Sequence, residues 1–210
     1  MIALDDDKLR HGNLGASCLH LCVDMQGMFA EETDWHTPWM DRVRPNVARL
    51  VEAQAPRTLF TRFIPAARPG EGRGTWARYY ERWASMTRER LDPGLIELLP
   101  ELARHVPPGE IFDKTLYSPW VDGALDARLQ ARGIDTLVVT GGETDVCVLS
   151  TVLGAVDHGY RVVIVTDALC SSSDEAHDAL LTLYRSRYGQ QVETVTTATV
   201  LANWTRPENP

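Results

Sequence analysis

IDTLVVTGGETDVCVLSTVLGAVDHG, residues 134–159, is the stretch from which the fold is read. Its first half runs through Leu137, Val138 and Val139, a short apolar segment with the β-branched content of a buried strand. Two glycines follow. The second half carries small and apolar residues at helical spacing until Gly159 supplies a stop. Strand, tight turn and helix in immediate succession are the repeating unit of a sheet built with helical crossovers.

The same signals recur on both sides. RVVIVTDA (161–168) predicts a strand, SDEAHDALLTLYRS a helix whose acidic residues sit at its favourable end, and VETVTTA (192–198) a weaker strand. Upstream, SCLHLCVDMQ (17–26) and RTLFTRFI (57–64) predict two more strands. Thr37 and Pro38 read as N-cap and first-turn proline of a helix running into the fifties. PWVDGALDARLQARG (119–133) spaces Val121, Leu125 and Leu129 four apart and ends on Gly133. Five strands alternating with helices predict right-handed crossovers, a mostly parallel central sheet and a three-layer α/β/α sandwich. In such sheets binding residues gather beyond the carboxyl ends of strands, near a switch in strand order. Asp24 and Gly141 lie at such ends.

A chain of 210 residues with 44% hydrophobic and 24% charged residues is expected to fold as a single domain over 1–210. The formal charge of -8 offers no positive field for a phosphate backbone or an anionic bilayer, so neither nucleic acid nor membrane is an expected partner. Cys18, Cys22, Cys147 and Cys170 form no CxxC and no small-domain disulfide framework, and the first residues lack a secretory signal; a cytoplasmic location is expected. The segment 65–90 turns from Pro, Gly and Arg to aromatic residues, and reads either as a lid over a pocket or as an oligomer interface. Arg68 and Arg73 within it either pair with a substrate carboxylate or sit in solvent. GEGRG lacks the lysine and hydroxyl of a phosphate loop.

Cys147 falls in the first turn of the predicted helix, whose positive end is expected to lower the thiol pKa. Gly141 and Gly142 permit backbone geometry that turns amide groups toward an oxyanion. A small buried thiol is the competing reading. Asp24 ends the first strand, where a carboxylate needs a cation or several donors; alternatively it accepts backbone bonds in the VDMQG turn. Lys114, in IFDKTLYSP, either supplies that cation or is solvated. The three together offer carboxylate, ammonium and thiol.

Histidine and metal alternatives also arise. His177 opens a helix and either reaches the same sheet end as a partner for Cys147, or caps the helix or faces solvent. His158 lies eleven residues past Cys147, roughly 16 Å along a helix, too far to serve. Cys18, His20, Cys22 and Asp24 share one strand face, but neighbours about 6.6 Å apart do not converge on one zinc without bending. No metal and no cofactor are expected. His36 is placed near an entrance with Trp35 and Trp39.

DMQGMF (24–29), DKTLYSPW (113–120), GGETDVCV (141–148) and GYRVVIVTDALCSSS (159–173) resemble, in that order, motifs of the isochorismatase-like superfamily and its cysteine-hydrolase branch. The similarity runs over 18–203. It implies a catalytic triad of Asp24, Lys114 and Cys147, and a non-proline cis peptide between Gly142 and Glu143. It also implies an oxyanion hole made by the amides of Glu143 and Cys147. The activity implied is hydrolysis of a C–N bond in a small amide, carbamoyl or ureido substrate through a thioester, in a homodimer or homotetramer. Phe29 and Tyr117 match pocket-lining regions, and Trp76 is expected to cap the substrate. Nicotinamidases of this superfamily carry Asp-x-His and a later histidine for a divalent metal; here DWH at 34–36 follows closely on DMQGMF, and the next histidine is His105. Isochorismatases usually lack the cysteine. Either activity, or a binding protein without catalysis, stands as the alternative.

Overall fold

A computed structural model describes residues 8–205. Six strands make one sheet: β1 (Cys18–Val23), β2 (Thr58–Phe63), β3 (Glu110–Lys114), β4 (Thr136–Gly142), β5 (Arg161–Cys170) and β6 (Val192–Val195). Their order is β3-β2-β1-β4-β5-β6 and every neighbouring pair is parallel. Every residue of β1 and of β4 is buried, as a parallel sheet covered on both faces requires.

Helices supply the cover. They are α1 (Gly27–Ala30), α2 (Met40–Gln54), α3 (Thr75–Arg82), α4 (Pro100–Ala103), α5 (Ala124–Ala131), α6 (Leu149–Asp157), α7 (Asp174–Arg187) and α8 (Thr197–Asn203). Alternation along β1 sends Cys18 and Cys22 into one core with Val47 and Leu50 of α2 and Val200 of α8. The intervening Leu19, Leu21 and Val23 enter a second core with Leu129 of α5, Val152 of α6 and Tyr184 of α7. Fully burying side chains such as Leu19 in one core and Leu50 in the other stabilises by about 1.5–3 kcal/mol each, which fixes both outer layers on the sheet. No helix among the described residues is long and apolar enough to cross a membrane.

Four local expectations are corrected. A sixth strand, β3, lies at the sheet edge; it is only half-buried and carries Glu110 and Asp113, the charges an edge strand tolerates, so its pattern resembles a loop. Thr37 is not an N-cap. The helix begins at Met40, while Thr37 is buried, its N–H donating to the Phe29 carbonyl at 2.8 Å. The run after Val192 divides, because the Thr196 side chain accepts the Thr199 N–H at 3.3 Å and starts α8. Finally, α5 starts only at Ala124, and Val121 is left exposed in the preceding loop.

The chain runs outward from β1 to β2 and β3, then crosses to β4 on the other side of β1. A crevice opens beyond the strand ends where the order reverses. There the tips of β1 and β4 come very close: Gly141 has φ +107°, and a Cβ on it would lie 2.0 Å from the Val23 carbonyl oxygen. Only glycine fits this position. The segment 65–90 folds across the same end. Its Tyr80 and Met86 are buried, and Met86 packs with Met28, Phe63 and Leu91.

Candidate active site

Asp24 stands one residue past β1 in a left-handed conformation, φ +50°, that short polar side chains tolerate best after glycine. Its N–H donates to the carbonyl and hydroxyl oxygens of Thr61, both at 3.2 Å. Its carboxylate is buried and accepts two donors: the Thr61 hydroxyl on Oδ1 at 2.5 Å and Lys114 Nζ on Oδ2 at 2.6 Å. Lys114 is the last residue of β3, and its side chain reaches past β2 to Asp24. Nζ also donates to the Leu116 carbonyl at 3.2 Å and lies 5.0 Å from the centre of the Phe63 ring. A buried ion pair holds only when both charges are compensated, and these contacts compensate them. Burial works against the Lys114 charge, yet the Asp24 carboxylate and the Cys147 thiol lift its pKa above the ordinary lysine value.

Cys147 lies in a π-turn, Thr144–Val148, that opens α6 directly after a cis peptide between Gly142 and Glu143. The Glu143 carbonyl accepts the N–H groups of Val146 at 3.1 Å and Val148 at 3.0 Å, the two positions flanking Cys147. Such turns concentrate at functional sites. The Thr151 hydroxyl donates to the Cys147 carbonyl at 2.7 Å. Gly142 is also constrained, since a Cβ there would meet Cys170 Sγ at 2.9 Å.

The electrostatics of this thiol differ from the expectation. Burial pushes the Cys147 thiol well above its ordinary pKa; the Asp24 charge adds to this and Lys114 opposes it. Desolvation outweighs the helix end, so the resting group is the thiol and not the thiolate.

The histidines have other partners. His177 is buried on α7, its Nδ1 is 2.8 Å from the Thr144 hydroxyl, and its ring packs on Trp39 at 5.7 Å. It neither caps α7, which Ser173 does, nor faces solvent, and burial lowers its pKa. His158 ends α6 beside Asp126 at 3.5 Å. His20 is bracketed by the hydroxyls of Thr58 at 3.2 Å and Thr140 at 2.8 Å, and burial pushes its pKa down to about 3. Among the described residues no three His, Cys, Asp or Glu side chains gather as a metal site.

A cavity of about 330 Å³ opens over Cys147. Its walls are aromatic: Phe29, Trp35, Phe63, Tyr79, Trp83 and Tyr117. Asp34, His36, Glu143 and Ser172 provide the polar lining. Phe29 and Tyr117 line this cavity, whereas Trp76 does not. It packs behind Tyr117 and Tyr79, with ring centres 4.9 and 5.2 Å away, and lines a second cavity with Arg73. The correction is one of helical phase: α3 turns Tyr79 rather than Trp76 toward the thiol. Arg68 is exposed beside Glu71 at 3.7 Å. Trp35 and His36, read as lying near an entrance, line the cavity, whereas sequence reasoning missed Thr61 and Phe63 as parts of the site. Both could have been found from their place near the end of the strand that neighbours Asp24.

The isochorismatase domain family matches residues 18–199. An uncharacterized isochorismatase family protein of Bacillus subtilis (strain 168) is 33% identical over 98 residues, 46% of this chain and 54% of its own length. A ureidoacrylate amidohydrolase of Methylobacterium radiotolerans is 37% identical over 84 residues, 39% of this chain and 33% of its own. The chain spans about half the length, or less, of the first curated relatives it matches. A crystal structure of a cysteine hydrolase from Pseudomonas syringae pv. phaseolicola 1448A shares the fold with a TM-score of 0.76 at 26% identity, covering 90% of this chain and 92% of that one.

Proposed function

The chain belongs to the isochorismatase family, and from that premise we propose that it cleaves the C–N bond of a small amide or carbamoyl substrate with Cys147 as nucleophile. The family match and the likeness to a cysteine hydrolase support the broader reading, a hydrolase of non-peptide carbon–nitrogen bonds. The observation that carries the finer reading is a thiol on the wall of an aromatic cavity, its titration governed by burial and by a carboxylate and an ammonium behind it, these two charged groups 2.6 Å apart and both buried.

The chemistry follows from the resting protonation state. Asp24 takes the Cys147 proton as the thiolate attacks the carbonyl carbon, while Lys114 holds the carboxylate in place and offsets the charge. The developing oxyanion is received by the N–H groups of Glu143 and Cys147; the carbonyl of Glu143 is already engaged with Val146 and Val148. Collapse of the tetrahedral adduct breaks the C–N bond, and Asp24 returns its proton to the departing ammonia or amine. Asp24 then deprotonates a water that cleaves the thioester, releasing a carboxylic acid and the free thiol. Amide and water are consumed; acid and amine are formed. Residues 65–90, which place Tyr79 and Trp83 on the cavity wall, serve as the cover that keeps bulk water from the thioester.

A screen of ammonia release from small amides and ureido acids, run on the parent and Cys147→Ala, tests this reading. Turnover is expected in the parent alone, with both proteins unfolding at the same urea concentration. Undiminished turnover by folded Cys147→Ala would refute it.

A further inference from the structure

The charge around the cavity narrows its substrate. Lys114, the cation below the floor, is committed to Asp24. Among the described residues no arginine lines the cavity: Arg73 belongs to the second cavity, and Arg62 is engaged by Asp113 and Glu97. Two carboxylates do line it. Asp34 is anchored by the Ser85 hydroxyl, and Glu143 accepts the Ser172 N–H at 2.9 Å on Oε1. Within the lining a substrate carboxylate would meet two like charges and no guanidinium; Arg82 touches the wall only through the Trp83 ring, from outside the lining.

The walls point the same way. Trp35 lies 6.1 Å from Phe29, 5.8 Å from Phe63 and 5.8 Å from Tyr79, and Tyr79 lies 6.5 Å from Trp83, measured between ring centres. This is a continuous aromatic surface. Aromatic faces attract cations, and two rings of this wall already do so: Phe63 carries Lys114 Nζ at 5.0 Å, and Trp83 carries the Arg82 guanidinium at 5.0 Å on a group outside the lining. Burial raises the pKa of both Tyr79 and Tyr117, so both present neutral phenols.

Resting on the amide-hydrolase reading above, we propose that the substrate is a small amide bearing a positive charge, an ammonium or quaternary ammonium group held against Trp35 and Tyr79 beside Asp34 and away from Trp83, whose ring already carries Arg82. Cys147 then attacks the carbonyl at the other end of the same molecule. The C–N cleavage is unchanged, and the charged group takes no part in bond making.

Three amides of similar size separate the possibilities: trimethylglycinamide (cationic), 3,3-dimethylbutanamide (its neutral isostere) and succinamate (anionic). The assay is run at about pH 8. The kcat/KM for the cation is expected to exceed that of the isostere by about 10-fold and that of the anion by about 100-fold. Asp34→Asn should shrink the cation-to-isostere ratio by about 5-fold. Equal or better turnover of succinamate would overturn the charge inference while leaving the hydrolase reading intact, and an unaltered ratio in Asp34→Asn would overturn the role of Asp34. Calorimetric titration of the same amides into Cys147→Ala separates the other failure. Selective binding of the cation without parental turnover of any amide would refute the hydrolase reading and retain the charge selection; no cation binding would refute the selection itself.

Discussion

Replacing Lys114 by Met leaves the Asp24 carboxylate buried with one donor, the Thr61 hydroxyl, in place of two. At the observed 2.6 Å the gross attraction between the two charges is about 6 kcal/mol at an effective dielectric of about 20. Most of that offsets the cost of removing both ions from water, so the pair adds little net stability, whereas breaking it costs about 3–5 kcal/mol. For a chain of this size that is a fall in Tm of about 6–20 °C. Asp24→Asn removes the other charge and should cost a similar amount, because it strands the ammonium. The double variant Asp24→Asn, Lys114→Met strands neither, and should lie at least about 2 kcal/mol above the sum of the single changes. Urea unfolding of the four proteins, with equal m-values as the check on two-state behaviour, measures this. Additive losses within about 0.5 kcal/mol would refute the reasoning, since independent sites add in that way. Lys114 also sets a pH limit. Its folded pKa is raised, so its contribution is present below the ordinary lysine value and is lost as pH climbs through the folded value. The parent should therefore weaken at strongly alkaline pH, and Lys114→Met should lack that component.

Two further predictions concern the scaffold. His20 has its pKa pushed down to about 3, so its contribution is present above the ordinary histidine value and is lost as pH falls from about 6.5 toward about 3. His20→Gln should reduce the slope of unfolding free energy against pH in that window by up to about 1.4 kcal/mol per pH unit, whatever it does at neutral pH; an unchanged slope would contradict this. At Gly154 a Cβ would lie 2.1 Å from Trp120 Cδ1, and the Trp120 indole N–H donates to the Thr151 carbonyl at 2.9 Å. Gly154→Ala should cost about 2–4 kcal/mol by urea unfolding through overpacking and the lost hydrogen bond, and a change below about 0.5 kcal/mol would show that the indole moves freely.

What was legible in the sequence follows from where information is local. The interior strands β1, β4 and β5 are apolar on both faces and bounded by turns, so they are read directly. The edge strand β3 is half-buried and charged, and nothing in EIFDK separates it from a loop until β2 is known to lie beside it. Asp24 and Cys147 were singled out from a strand end and from the turn after a strand, whereas Lys114, on the unread β3, was joined to them by the family resemblance; the parallel topology sets Lys114 2.6 Å from Asp24. The protonation of Cys147 was not legible, because a helix end is visible in sequence whereas depth of burial belongs to the assembled cavity. Trp76, Tyr79 and Tyr80 crowd a single two-turn helix that Trp83 follows, and which of them faces the thiol depends on a rotation that the pattern leaves open. Thr37 shows the same limit: its cap signal is genuine locally, but its side chain turns toward Glu143, with 3.5 Å between Oγ1 and Oε1.

Nucleophilic attack by Cys147 is the centre of this account, and acyl transfer tests it most directly. p-Nitrophenyl acetate is mixed with the protein, the reaction is quenched in acid within milliseconds to seconds, and the peptides are analysed by mass spectrometry. The account predicts a burst of p-nitrophenolate equal to the protein present and one acetyl group on the Cys147 peptide, with none on Cys18, Cys22 or Cys170, and both signals lost in Cys147→Ala. A burst that persists in Cys147→Ala, or acetyl spread over all four cysteines, would contradict it.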